Sequence, residues 1–298
     1  MAQDPSKPDF DHHDPTMRPA ARAVGSLPTV SVLMSAYNGA SFLAAAIESI
    51  LAQSFGDFEF VIVDDGSTDA TSEIIAAWAA KDARIRVLSN ERNLGIVAAL
   101  NRGLDACQGR YVARMDADDI ALPERLAKQT ARMDQADEVV ALGGALEYID
   151  ATGADVGVRR TCAVNDSPLA ANPLLHPTVM IRREVLEKNH LRYEKRFRYA
   201  EDYFLWLRLS RLGRLDAIDE VVLKYRLSAG ASRMKHAKGM LRATIRAKLA
   251  GIFHLGIRPT ASDVLRLAAE ITLLAVPAAI VRRMYLRRTF GPSARPRL

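Results

Sequence analysis

The sequence predicts an α/β fold, a mostly parallel sheet flanked by helices and followed by a C-terminal helical extension. Three observations carry this reading. Between Thr29 and Met115, runs rich in β-branched and other apolar residues alternate with segments whose apolar residues recur at three- and four-residue spacing, a β-α-β-α-β-α-β pattern that favours parallel strands with helices on both faces. Each of these runs stops at a short polar loop. From Lys235 onward the chain reads as Arg-rich helices.

Order is expected to begin at Pro28. Thr29–Met34 is a strand bounded by Pro28 and the turn Ser35-Ala-Tyr-Asn-Gly39. Leu43, Ile47, Ile50 and Leu51 lie at helical spacing. Phe58–Val63 is a second strand that runs into Asp64-Asp65-Gly66-Ser67. A helix over Thr71–Ala80 has Asp69 as its N-cap candidate. Ile85–Leu88 is a third strand, 90–95 a loop, and Ile96–Ala106 a helix. Tyr111–Met115 is the fourth strand, and a helical pattern follows Pro123.

The fourth strand ends in Asp116, Asp118 and Asp119. Carboxylates this close repel one another, and a hard divalent cation relieves the repulsion. Mn²⁺ and Mg²⁺ prefer oxygen ligands and bridge one or two carboxylates to a diphosphate. The competing account is a solvated loop whose Asp caps the next helix. Ligands of open α/β sheets sit beyond the carboxyl ends of the strands. Three such ends carry polar groups here: Ser35–Asn38, Asp64-Asp65 and Asp116–Asp119. Neither a G-x-G-x-x-G after the first strand nor a G-x-x-x-x-G-K-[ST] is present, so the usual dinucleotide and P-loop cradles are absent. Acidic acceptors are then left to read base and ribose, with a metal on the phosphates. Asp65 can accept from a pyrimidine N–H, and Tyr37 can lie against the base.

Past Leu142 the pattern changes. Glu147–Asp150 and Val156–Arg160 read as a hairpin around Thr152-Gly153. Leu175–Arg182 reads as a strand, Glu184–Asn189 as a short helix, and Phe197 as the opening of an apolar helix that stops at Gly213. Asp202, near the start of that helix, fits an N-cap, and Glu201 favours the helix dipole. A general base at the mouth of a site is the functional alternative. Val221–Tyr225 is a last strand.

With these residues in view, the chain resembles the family-2 glycosyltransferases, which have the Rossmann-like GT-A fold. The resemblance covers roughly Thr29 to Ser232. It rests on an ordered series: Val30-Ser-Val-Leu-Met-Ser-Ala-Tyr-Asn-Gly39, Val61-Ile-Val-Asp-Asp-Gly-Ser-Thr-Asp69, Asn93-Leu-Gly95 with Ala99-Leu-Asn-Arg-Gly103, Met115-Asp-Ala-Asp-Asp-Ile-Ala-Leu-Pro123, His176-Pro-Thr-Val-Met180, Glu201-Asp-Tyr-Phe-Leu-Trp-Leu-Arg-Leu209 and Leu223-Lys-Tyr-Arg226. It implies a nucleotide-binding half over about 28–120 and an acceptor half over about 121–232. It further implies that Ser35, Tyr37, Asp65 and Asn93 contact a nucleotide sugar. Asp116 and Asp118 become the D-x-D pair that holds Mn²⁺ or Mg²⁺, with Asp118 the direct ligand. Asp202 becomes the catalytic base, which reverses the preference for a cap. His176 and Glu201 fall on the acceptor side. Many relatives carry a His after the late Tyr-Arg; here none occurs between Arg226 and His236, and His176 is a weak substitute as ligand. The implied reaction is inverting transfer of a sugar, with UDP-sugar preferred as donor, to a hydroxyl of a glycan or lipid-linked acceptor in bacterial surface polysaccharide synthesis. A sugar nucleotidyltransferase and a non-catalytic nucleotide-sugar-binding scaffold are the alternatives. The first would carry a glycine-rich basic loop after the first strand, which Ser35–Gly39 is not.

Bulk composition agrees. The 298 residues are 49% hydrophobic and 26% charged, enough for a substantial core. Cys107 and Cys162 are far apart and show no metal-type spacing, which fits a reducing cytoplasm. Residues 1–27 lack an apolar core and read as a disordered tail rather than a secretory signal, with His12-His13 solvated. The net charge of +6 is concentrated after Arg226. No basic-aromatic interleaving accompanies it, which argues against nucleic acid. Val264–Val281 is the most apolar stretch, but it is interrupted by Arg266, Glu270 and Pro277 and flanked by Arg282-Arg283 and Arg287-Arg288. It is marginal for a spanning helix. An interfacial helix on an anionic leaflet is preferred, which would place the protein on the cytoplasmic face of the inner membrane. Packing on the catalytic domain or on a second subunit is the competing account of the 233–298 extension.

Overall fold

The computed structural model describes residues 27–227, 236–281 and 283–284. Residues 1–26 of the expected N-terminal tail, the stretch 228–235 and Arg282, Arg287 and Arg288 lie outside the described residues. The nucleotide-side expectations are met in order: β1 (Val30–Ala36), α1 (Ala40–Leu51), β2 (Phe58–Asp64), α2 (Thr71–Ala79), β3 (Ile85–Ser89), α3 (Ile96–Ala106) and β4 (Tyr111–Asp116). These four strands are mutually parallel in the order β3-β2-β1-β4. All of β2 is buried, and this explains its apolar run from Phe60 to Val63; Glu59 is buried with Ser31 and Arg86 as partners. Side chains alternate across the sheet. Leu33, Val61 and Val63 join one core with Leu100 and Leu104 of α3. Val32, Met34, Phe60 and Ile62 join the other with Leu43, Ile47 and Ile50 of α1.

The sheet then continues as a mixed half. After β5 (Ile120–Ala121) and α4 (Arg125–Asp134) come β6 (Val139–Ile149), β7 (Asp155–Arg160), β8 (Met180–Arg182), α5 (Arg183–Lys188), α6 (Glu201–Leu209) and β9 (Arg214–Arg226). β8 pairs antiparallel with both β4 and β6, and β9 runs parallel to β6. The hairpin around Thr152-Gly153 is present as β6–β7.

Among the boundaries that differ from expectation, three bear on the site. The stretch from Leu175 is a 3₁₀ turn over His176–Thr178 before the short β8, because Pro177 has no N–H to give a strand ladder. α6 starts at Glu201 with Ala200 as N-cap and no side-chain cap, so the N-cap reading of Asp202 fails. Asp69 lies one residue outside the cap position of α2, yet its carboxylate accepts from Thr71 N (3.0 Å) and Ala40 N (3.2 Å), tying the starts of α1 and α2 together.

The extension is joined to the catalytic unit. α7 (Ala237–Phe253) shares a core with α6 through Ala247 and Ala250, and a Cβ on Gly251 would meet Leu207 at 3.2 Å. The apolar stretch from Val264 is not one helix. α8 (Ala261–Leu273) ends before Pro277, which cannot continue it. No helix among the described residues is long and apolar enough to cross a membrane. Lys248, 2% exposed, links α7 to α8 by an ion pair with Glu270 at 2.6 Å. Lys248→Ala strips Glu270 of its counter-charge and is expected to cost about 3 kcal/mol in urea unfolding. Replacing both partners together, Lys248→Met with Glu270→Leu, is expected to recover most of that.

Candidate active site

Strand register puts the polar ends at one level. Ser35 is opposite Asp116, Ala36 opposite Asp64, and Asp64 opposite Ser89. β2 and β4 flank β1, so their ends lie two strand spacings apart, roughly 10 Å. On the β2 side, Asp65 is buried. Its carboxylate accepts from Asn90 Nδ2 (2.6 Å), Leu94 N (3.0 Å) and Gly95 N (2.8 Å), so it orders the loop that carries Asn93. Gly66, at φ +71°, allows that loop to close: a Cβ there would stand 2.4 Å from the Arg92 carbonyl carbon. Ser35 is half-buried, Asn93 is exposed, and Tyr37 is 49% exposed, a free ring at the rim.

On the β4 side, the ligand oxygens of Asp116, Asp118 and Asp119 lie within 4.8 Å of one another. Arg114, fully buried, pairs with Asp116. Asp119 accepts from Arg226 N at 2.9 Å through Oδ1, and its buried Oδ2 has no partner. Arg226 Nε donates to the Asp118 carbonyl at 2.9 Å and so clamps the turn. Burial, and then the Asp116 charge, push the Asp118 carboxyl up to about 6. Burial with Asp116 and Asp118 raises Asp119 well above the usual carboxylate range. Crowded, partly unsatisfied carboxylates with only oxygen donors suit a hard divalent cation, so the residues present fit Mn²⁺ or Mg²⁺. His176 lies outside this cluster.

The opposite wall is the N-terminus of α6. Asp202 accepts from Asn172 Nδ2 at 3.0 Å. Glu201 is raised by burial and then by Asp202, and its Oε2 is buried without a partner. The positive end of the helix dipole favours both charges. His176 Nε2 shares a 2.9 Å hydrogen bond with Tyr193 Oη, and its ring packs edge-on against Trp206. Tyr199, just before Glu201, has φ +77° and stacks on His236 at the start of α7. A non-glycine residue there stores strain, held by this stacking.

A cavity of about 510 Å³ opens between these walls. It brings together Asp116, Asp118, His176, Glu201 and Asp202 of the expected residues. Ser35, Tyr37, Asp65 and Asn93 sit on the adjoining sheet edge, outside its lining. Its wall also includes Arg114, Asn172, Met240 and Thr244, none of which was assigned a role from sequence. Arg114 was detectable as a lone cation inside an apolar strand, and Asp119 as the third acid of its run. Asn172 lies in an irregular segment without any pattern. Met240 and Thr244 belong to α7, which sequence reading set apart as an extension.

Two carboxylate pairs line one cavity at the carboxyl edge of a mixed α/β sheet, an arrangement suited to group-transfer chemistry with a metal-bound leaving group. The comparisons agree. The profile described as glycosyl transferase family 2 matches residues 31–200. An uncharacterised glycosyltransferase of Haemophilus influenzae is 36% identical over 67% of this chain and 66% of its own length. The putative glycosyltransferase EpsE of Bacillus subtilis is 32% identical over 90% of this chain and 97% of its own. The amylovoran biosynthesis glycosyltransferase AmsE of Erwinia amylovora is 35% identical over 70% and 79%. Among solved structures, S. aureus TarS 1-349 in complex with UDP-GlcNAc superposes with TM-score 0.65 at 20% identity, over 88% of this chain and 74% of that one. The mannosyltransferase PcManGT from Pyrobaculum calidifontis, in complex with GDP-Man and Mn²⁺, superposes with TM-score 0.57 at 17% identity, over 88% and 84%. This chain belongs to glycosyl transferase family 2.

Proposed function

We propose that the protein moves a sugar, with inversion, from a UDP-sugar to a hydroxyl of a glycan or lipid-linked acceptor in the synthesis of a bacterial surface polysaccharide. One observation carries the reading: a single cavity is shared by the Asp116/Asp118 pair on the sheet edge and the Glu201/Asp202 pair on a helix N-terminus. The UDP-GlcNAc complex of TarS and the name of AmsE support the donor and the pathway class.

In this reading the sheet edge from Ser35 to Asp118 receives the nucleotide, with Tyr37 against the base and Asp65 and Asn93 beside it. Asp118, with Asp116, would hold Mn²⁺ or Mg²⁺, which offsets the charge growing on the diphosphate. Arg114 steadies Asp116 from below the site. Asp202 takes the proton of the acceptor hydroxyl as its oxygen bonds to the sugar C1. The bond from C1 to the diphosphate oxygen breaks on the opposite side, and nucleoside diphosphate leaves. Asn172 orients the base. Glu201 and His176 line the acceptor side together with Met240 and Thr244 of α7, so the acceptor half extends past residue 232.

The test is donor-dependent product release. The protein is incubated with UDP-, GDP- and dTDP-sugars and Mn²⁺ or Mg²⁺, and products are separated. Release of UDP is expected, above GDP and dTDP. Pyrophosphate as product would make it a nucleotidyltransferase, and no product from any donor would leave a binding protein.

A further inference from the structure

The helix α8 is amphipathic in the reverse sense from an ordinary surface helix. Its two acids face the protein, and its one cation, Arg266, is exposed. Asp263 accepts from Ser167 Oγ at 2.6 Å and caps its own helix. Glu270 meets the buried Lys248, and Arg266 reaches the Ala170 carbonyl at 3.4 Å. Its other face carries Ala261, Val264, Leu265, Ala268, Ile271 and Thr272 at three- and four-residue spacing, all exposed and none charged. Leu265 is 72% exposed and Val264 53%. A folded chain turns such a face inward unless something else covers it.

We infer that the outward face of α8 docks the protein on an anionic lipid bilayer. The argument is charge complementarity. From Lys235 to Leu298 the chain holds 13 Lys and Arg but only two acids, Asp263 and Glu270; both acids are turned inward, and of the cations Lys248 is buried against Glu270. The last 23 residues, from Val276, contain six Arg and no acid. A second copy placed on this face would set the same positive excess against itself. An anionic leaflet attracts the basic segments while the apolar face enters the headgroup boundary. With 13 residues, α8 is about 20 Å long, so it lies on the surface and does not cross it. The inference stands apart from the sugar-transfer reading.

The test is flotation of the full chain with vesicles of phosphatidylcholine alone and of phosphatidylcholine with phosphatidylglycerol. The parent is expected to float with the anionic vesicles only. Leu265→Glu with Ile271→Glu, both at exposed positions, is expected to lower the bound fraction by about tenfold or more with an unchanged thermal transition. Leu265→Asn serves as a milder variant if the double one melts early. Equal flotation of variant and parent would overturn the inference, since the basic residues alone would then suffice. Absence of flotation would overturn it too, as would a lipid-free dimer in light scattering that the double variant abolishes.

Discussion

Asp202→Asn is expected to lower turnover by about 10²–10⁴-fold, the usual worth of a positioned general base, while UDP affinity stays at the parent level. The substitution keeps shape and volume. The new amide can still present its oxygen to Asn172 Nδ2, so the 3.0 Å contact survives; what is lost is the capacity to accept a proton. A structural role would behave otherwise, shifting KM or the thermal transition together with turnover. Single-turnover rates and UDP titration on one preparation separate the two. Turnover at the parent level would remove Asp202 from catalysis and turn attention to Glu201, its buried neighbour with an unpartnered oxygen.

Asp118→Ala is expected to abolish metal-dependent donor binding, with UDP affinity in Mn²⁺ falling to the level measured with chelator. A metal-linked effect on stability accompanies this. An unfolded Asp titrates near 3.9, and Asp118 in the fold is pushed up to about 6. The folded state therefore binds more protons between these values, and the metal-free protein loses stability as pH rises through them. Mn²⁺ offsets the carboxylate repulsion once Asp118 is ionised. Its stabilisation is expected to be full above about pH 6 and to fade as pH drops below it. At a hundredfold excess over Kd it amounts to about 2.7 kcal/mol, read as a rise in Tm. A Tm insensitive to Mn²⁺ at pH 7.5, or equally raised in Asp118→Ala, would exclude this cluster as the metal site.

Local signals reached far into the nucleotide side. Phe58–Val63 could be read as a buried strand from composition, and α1 from Leu43, Ile47 and Ile50, because a period of two or of 3.6 follows directly from which faces are covered. The acids at the strand ends were visible for the same reason: an apolar run that stops at charges has reached the edge of its sheet. The second half was less readable. β9 begins at Arg214, seven residues before the expected Val221, and alternates buried and exposed positions irregularly through three register shifts against β6. No short window shows that.

Residue order alone was enough for the α/β class, the three polar strand ends, the aspartate run and the carboxylate pair before an apolar helix, since each is written within a dozen neighbouring positions. Folding in three dimensions supplied the rest: that Asp202 and Asp118 line one cavity, that Asp65 is engaged by its own loop, that buried Arg114 pairs with Asp116, and that α7 walls the site while α8 turns its acids inward. Those facts depend on contacts between segments tens of residues apart. Such contacts are selected by packing and pairing energies summed over the whole sheet, and no stretch of chain carries that sum by itself.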